Sequence, residues 1–206
     1  MKLYSCLLCG VGGQGTVLAS RIIAAAAMNR GCFARTAETI GMAQRGGCVT
    51  SHVRIGSKVP CPLIPEGGAD VMLAFEPGEA VRNLPYLKKG GLLIVCDRAV
   101  QPVTAALSGG QYDTAEMLSY LKTHVENCHV LSVDGVIAET GSVKAVNVAL
   151  VGALAQSGAM ELTLDDAERA VREKVRPQFF EMNRKALAYG AAGVHPQAIS
   201  RSGISE

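Results

Sequence analysis

Apolar residues in this chain fall in short continuous runs broken by glycine, and those runs alternate with segments of helical spacing. That layout predicts buried strands wrapped by helices. Lys2 to Cys9 reads as the first strand, followed by a glycine turn and a helix from about Gly13 to Asn29 that Gly31 closes. Cys32 to Thr36 reads as a second short strand, completing a β-α-β unit with a right-handed crossover. Cys48 to Ile55 has a different pattern. Cys48, Thr50, His52 and Arg54 fall on one face and Val49, Ser51, Val53 and Ile55 on the other, so the alternation predicts an edge or partly exposed strand. The Gly56-Ser57 turn then suggests an antiparallel return over Lys58 to Ile64.

Asp70 to Phe75 and Leu92 to Cys96 are continuous apolar runs of the fully buried kind and belong at the centre of the sheet. A helical stretch from Pro77 to Leu87 separates them, with Gly90-Gly91 as its stop. Residues 113 to 126 look helical, and His129 to Val133 looks like another strand. Three helices follow. Ser142 caps one that runs to about Gln156, Thr163 and Asp166 form a capping box for the next, and Pro177 opens the last, which ends near Gly190. The expected fold is α/β: a three-layer α/β/α, Rossmann-like, mostly parallel sheet with an antiparallel edge hairpin and C-terminal helices. Residues 1 to 193 read as one domain and 194 to 206 as a mobile tail.

With 206 residues, 49% of them hydrophobic, the chain can bury a sizeable core. No apolar run reaches the length of about 18 residues that a membrane span needs. Glycines interrupt the N-terminal run where a signal peptide would continue, so a cytoplasmic protein without a membrane partner is expected. Seven cysteines, an odd number scattered mostly in or beside apolar strands, argue against a disulfide framework. Cys6 and Cys9 form a C-x-x-C, but an extended run sends their side chains to opposite faces, which suits neither a metal chelate nor a redox pair. The chain also lacks a ferredoxin-type cysteine cluster of its own.

Net charge is only +2, yet residues 1 to 58 hold seven basic side chains against one acid, a balance of +6 that leaves −4 for the rest. The imbalance favours an anionic ligand or an acidic partner near the N-terminal half. Nucleic acid fits poorly, because the basic residues form no stripe and the nine aromatics include no tryptophan.

Two motifs carry candidate chemistry. Gly10, Gly12, Gly13, Gln14 and Gly15 turn a strand into a helix, leaving backbone N–H groups at a positive helix end where anions bind. Gln44, Arg45, Gly46 and Gly47 put paired glycines beside a guanidinium, which allows close backbone approach together with a fork of donors. A glycine bulge beside a solvated arginine is the alternative. Glu76 and Asp97 each follow a central strand at the carboxyl edge, where open α/β sheets bind ligands. Glu76 is therefore included among the candidate binding residues, against the plainer reading of a carboxylate at a helix N-terminus. A nicotinamide or flavin would need an acid at the end of the second strand. Glu38 comes slightly late for that, and Arg35 keeps an NADP-type reading open.

Four blocks in order, GVGGQG, ETIGMAQRGGCVTSHVRIG, PLIPEGGADVMLAFEP and KAVNVALVGAL, resemble the gamma-type subunit or domain of 2-oxoacid:ferredoxin oxidoreductases. The form ETxGMAQRGG is most similar to the indolepyruvate-type beta subunits of that family. The resemblance implies a subunit of an enzyme that turns a 2-oxoacid and coenzyme A into an acyl-CoA, carbon dioxide and reduced ferredoxin. Thiamine diphosphate, magnesium and the 4Fe-4S clusters would lie on a large partner subunit, and ferredoxin would accept the electrons. The glycine turn would form the nucleotide-like element. Gln44 to Gly47 would face the partner or the coenzyme A end of the reaction centre. Cys48 departs from the small serine-like residue the pattern leads one to expect. A free-standing NADP- or flavin-dependent reductase, and a non-enzymatic coenzyme A or nucleotide-binding module, stand as alternatives.

Overall fold

In the computed structural model, residues 2–40, 47–101 and 112–194 are described. Six strands form one mixed sheet: β1 (Tyr4–Val11), β2 (Phe33–Ile40), β3 (Cys48–Gly56), β4 (Ala69–Ala74), β5 (Leu87–Cys96) and β6 (Asn127–Leu131). Their order is β2-β3-β1-β4-β5-β6. β1, β4, β5 and β6 run parallel, whereas β3 is antiparallel to both of its neighbours, β1 and β2. The helices among the described residues are α1 (Thr16–Asn29), α2 (Pro77–Asn83), α3 (Thr114–His124), α4 (Val133–Thr140), α5 (Val146–Ser157), α6 (Leu164–Lys174) and α7 (Phe180–Ala192).

Alternate side chains of β1, β4, β5 and β6 feed two separate cores, as the period of two requires. Cys6, Leu8, Val53, Val71, Leu73 and Ile94 pack under α1 and α4 to α7. Leu7, Cys9, Met72, Leu93 and Val95 pack under α2 and α3. The three-layer expectation is met, and Cys6 and Cys9 lie on opposite faces as their spacing implied. α5 is apolar on every side because it sits between the sheet and other helices, and nearly all of its residues are buried. Its backbone closely approaches that of α7. A Cβ on Gly152 would fall on the Leu187 carbonyl, and one on Gly190 on the Ala149 carbonyl. Thr163 and Asp166 make the capping box expected at the start of α6.

The edge hairpin exists but is made by β2 and β3, so β3 is internal and β2 is the edge strand. This corrects the reading of β3 as an edge strand with an antiparallel return over Lys58 to Ile64, while the partial exposure holds at Cys48, Thr50 and Arg54. With β1 on one side and β2 on the other, β3 has no free ladder for that segment. Side chains tie it down instead. The His52 Nδ1 accepts the Ile64 N–H at 3.2 Å, and Arg54 donates to the Cys61 and Leu63 carbonyls at 3.0 and 3.1 Å. At His52 and Arg54 the polar face of β3 is thus covered by irregular chain, while Cys48 at its start is exposed.

Two further expectations need correction. Gly90-Gly91 does not stop a helix. α2 ends at Asn83, a 3₁₀ turn follows over Leu84–Tyr86, and both glycines sit in β5, where the pairing with β4 shifts between Ala69 and Val71. Val133 opens α4 rather than ending a strand, since Ser132 caps that helix by accepting the Gly135 N–H at 3.3 Å. Val194, the first residue of the expected tail, is buried in the helical core, and residues 195 to 206 lie outside the described residues.

Candidate functional site

The glycine turn closes on itself before α1 begins. The Gln14 side chain folds back so that its Oε1 accepts the Val11 N–H at 2.7 Å, while its Nε2 donates to the Phe75 carbonyl at 3.1 Å. One amide therefore fastens the turn to the end of β4. Gly10 has no room for a side chain, because a Cβ there would lie 2.7 Å from the Gln14 Oε1 and 2.8 Å from the Phe75 Cβ. Gly13 and Gly15 have φ of +99° and +87°, the left-handed region that glycine enters freely. Gly15 is also pressed by Asn147 from α5, whose Nδ2 would sit 2.5 Å from an added Cβ.

Gly12 donates its N–H to the Gly47 carbonyl at 2.9 Å, so the two motifs meet at the carboxyl edge of the sheet. Gly10, Gly12, Gly13, Gln14, Gly15 and Gly47 thus form one locality. Gln44, Arg45 and Gly46 lie outside the described residues.

Glu76 is placed differently from a free ligand-binding carboxylate. It is fully buried at the N-cap of α2, where its Oε2 accepts the Glu79 N–H at 2.8 Å and its Oε1 accepts the Tyr112 hydroxyl at 2.7 Å. Protein donors already occupy both oxygens. Asp97 likewise accepts the Val133 N–H at 2.9 Å. Burial pushes the Glu79 carboxyl up, Arg82 pulls it down, and Glu76 pushes it up again. The Tyr112 hydroxyl is raised by burial and by its bond to Glu76. Burial also raises the Cys6 and Cys9 thiols, which keeps both protonated. Among the described residues, no three His, Cys, Asp or Glu side chains gather as a metal site.

Glu38 stands on β2 opposite Ser51. With β3 inserted, β2 is two strand spacings from β1, about 10 Å, and the end of β2 does not flank the turn. A dinucleotide's ribose is held where those two strands adjoin, so this geometry does not favour the NADP or flavin reading.

Beside the turn, a cavity of about 200 Å³ has walls from Phe75, Val133 and Val146, with Arg98, Lys144 and Val143 at its mouth. Three helical N-termini converge there: the turn before α1, the start of α4, and the 3₁₀ turn Val143–Ala145 that leads into α5. Arg98 pairs with Asp134. Arg98 carries no sequence motif. Lys144 lies in the 3₁₀ turn between the Ser142 cap and α5 and belongs to no motif, so periodicity singles out neither as part of a site.

The family model described as pyruvate ferredoxin/flavodoxin oxidoreductase matches residues 5–193. The chain is 42% identical over 192 residues to the indolepyruvate oxidoreductase subunit IorB of Archaeoglobus fulgidus, covering 93% of each. Among solved structures, it resembles the gamma subunit of a keto/oxoacid ferredoxin oxidoreductase from Geobacter sulfurreducens. That likeness has a TM-score of 0.66 and 26% identity, covering 92% of this chain and 97% of that one. The fold also matches the 2-oxoglutarate:ferredoxin oxidoreductase of Magnetococcus marinus with a TM-score of 0.69 and 21% identity. There, 93% of this chain spans 31% of a longer one.

Proposed function

We propose, from the premise that this chain belongs to the pyruvate ferredoxin/flavodoxin oxidoreductase family, that its enzyme oxidises indolepyruvate or a related arylpyruvate. Membership makes the chain a subunit of a 2-oxoacid:ferredoxin oxidoreductase. The observation that carries the finer reading is the 42% identity to an indolepyruvate oxidoreductase subunit across 93% of both chains.

In this reading the partner is a large subunit that holds thiamine diphosphate, magnesium and the 4Fe-4S clusters, and ferredoxin takes the electrons. The donors available here support that division. Cys6 and Cys9 point into different cores, and buried protonated thiols are poor iron ligands. The glycine turn and Gln44 to Gly47 supply backbone amides and a guanidinium to the shared reaction centre, with coenzyme A as the anionic ligand they would meet. Among the described residues, no single helix is long and apolar enough to cross a membrane. Seven free cysteines, three of them buried, support a cytoplasmic location.

The test is co-expression with a thiamine-diphosphate, iron–sulfur large subunit, followed by assay of 2-oxoacid-dependent, coenzyme A-dependent ferredoxin reduction. The expected result is a stable complex, inactive when either subunit is missing, with a higher kcat/KM for indolepyruvate than for pyruvate. Activity of this chain alone would refute the subunit role. A preference for pyruvate would refute the substrate.

A further inference from the structure

We infer that the cavity beside the glycine turn receives a single apolar side chain of the large subunit, carried on a segment with an adjacent acidic residue. The inference rests on the subunit reading above and adds a location and a chemistry for the contact. Size argues for a side chain. A volume of about 200 Å³ falls below the roughly 300–1,000 Å³ of small-molecule sites, and it suits one anchoring residue.

The mouth argues for a protein surface. Val143 is 54% exposed and Val100 38%, two aliphatic side chains in solvent beside a cavity floored by buried Phe75, Val133 and Val146. A buried apolar centre ringed by polar groups is the anatomy of a docking hot spot. Charge sets the chemistry of what borders the anchor. Arg98 and Lys144 stand at the rim; the start of α4 adds no free positive end, because Asp97 already accepts its Val133 N–H and Asp134 lies in its first turn. The carboxylate that pairs with Arg98 belongs to Asp134, whose side chain is 83% exposed, so water weakens that pairing. An acidic partner residue would find two cations within a single footprint, and electrostatic steering toward it would weaken with salt.

The experiment measures the Kd between the full chain and its purified large subunit at low and moderate salt, using Val143→Glu and Lys144→Glu, with Lys122→Glu on exposed α3 as control. Val143→Glu and Lys144→Glu should each weaken binding about tenfold or more, the loss for Lys144→Glu shrinking as salt rises. Lys122→Glu should stay within about twofold of wild type. Both positions are exposed, and unchanged melting curves would show that the variants fold. If both variants bind as tightly as wild type, the inference is overturned. If they bind normally but raise the KM for coenzyme A or the 2-oxoacid, the cavity is a ligand site and the inference is again overturned. Failure of the wild-type chain to form any complex would instead sink the subunit reading, and this inference with it.

Discussion

The two faces of the sheet are stabilised in different ways. Under α1 and α4 to α7 the core is aliphatic and alanine-rich, and most buried polar side chains bond to their own helices, as Ser20 does to the Val17 carbonyl and Asn183 to the Phe179 carbonyl. Asp166 is the ionisable exception, and it caps α6. Under α2 and α3 lies a smaller apolar cluster beside buried His52, Glu76 and Glu79. One face therefore depends on shape, while the other depends on which of its groups are charged. Volume changes should damage the first, and pH should tune the second.

The largest effect should come from Gly190→Ala. The new methyl would fall on the Ala149 carbonyl and push α7 away from α5, with an overpacking cost of about 3 kcal/mol. For a chain of this size that corresponds to a fall in melting temperature of about 6–12 °C. A loss of only a degree or two would mean the helical face is looser than its backbone contacts imply.

Next comes Gln14→Ala, at the seam where the two faces meet the glycine turn. It leaves the Val11 N–H and the Phe75 carbonyl without partners, and a stability loss of about 2 kcal/mol is expected in urea unfolding. A neutral result would show that water replaces the amide there.

The smallest effects are those of pH, and they have opposite signs. Burial, the leading influence on Glu79, raises its carboxyl, so the native state holds its proton more tightly than the unfolded chain does. Its favourable contribution is complete below about 4.3 and is lost as pH rises through the native value. Glu79→Gln should therefore gain melting temperature relative to wild type between pH 4 and 8. Burial lowers the His52 pKa, and its ring nitrogen already accepts the Ile64 N–H. That contribution is complete above about 6.5 and is lost as pH falls. His52→Gln should flatten the acid side of the stability profile. If neither variant changes the slope, the charged face is solvated and the contrast between faces disappears.

The strands that follow one pattern throughout were the easiest to read. β4 and most of β5 are uninterrupted apolar runs, and the capping box at Thr163 has its partner three residues on. Sequence pattern and structure part where one local signal has two tertiary causes. Polar alternation in β3 marks either water or a covering segment, and here His52 and Arg54 bind the chain from 58 to 64. Paired glycines end a helix or relieve a strand, and those at 90 and 91 do the latter. The glycine turn was visible as a motif, but the role of Gln14 as its fastening was not, because the Phe75 carbonyl it binds is 61 residues away. Arg98 and Lys144 come together only when β5 and α5 pack, so no spacing along the chain announces them.

The reversed strand between β1 and β2 also constrains the order of assembly during synthesis. A ribosome releases β1, α1 and β2 in turn, yet β2 cannot hydrogen-bond to β1, because its place in the sheet is reached only through β3. β2 and β3 can close first as a hairpin between neighbours in sequence, whose short connection costs little entropy to order. β3 then offers its second edge to β1, so the pairing of the amino-terminal half of the sheet requires none of the strands beyond it.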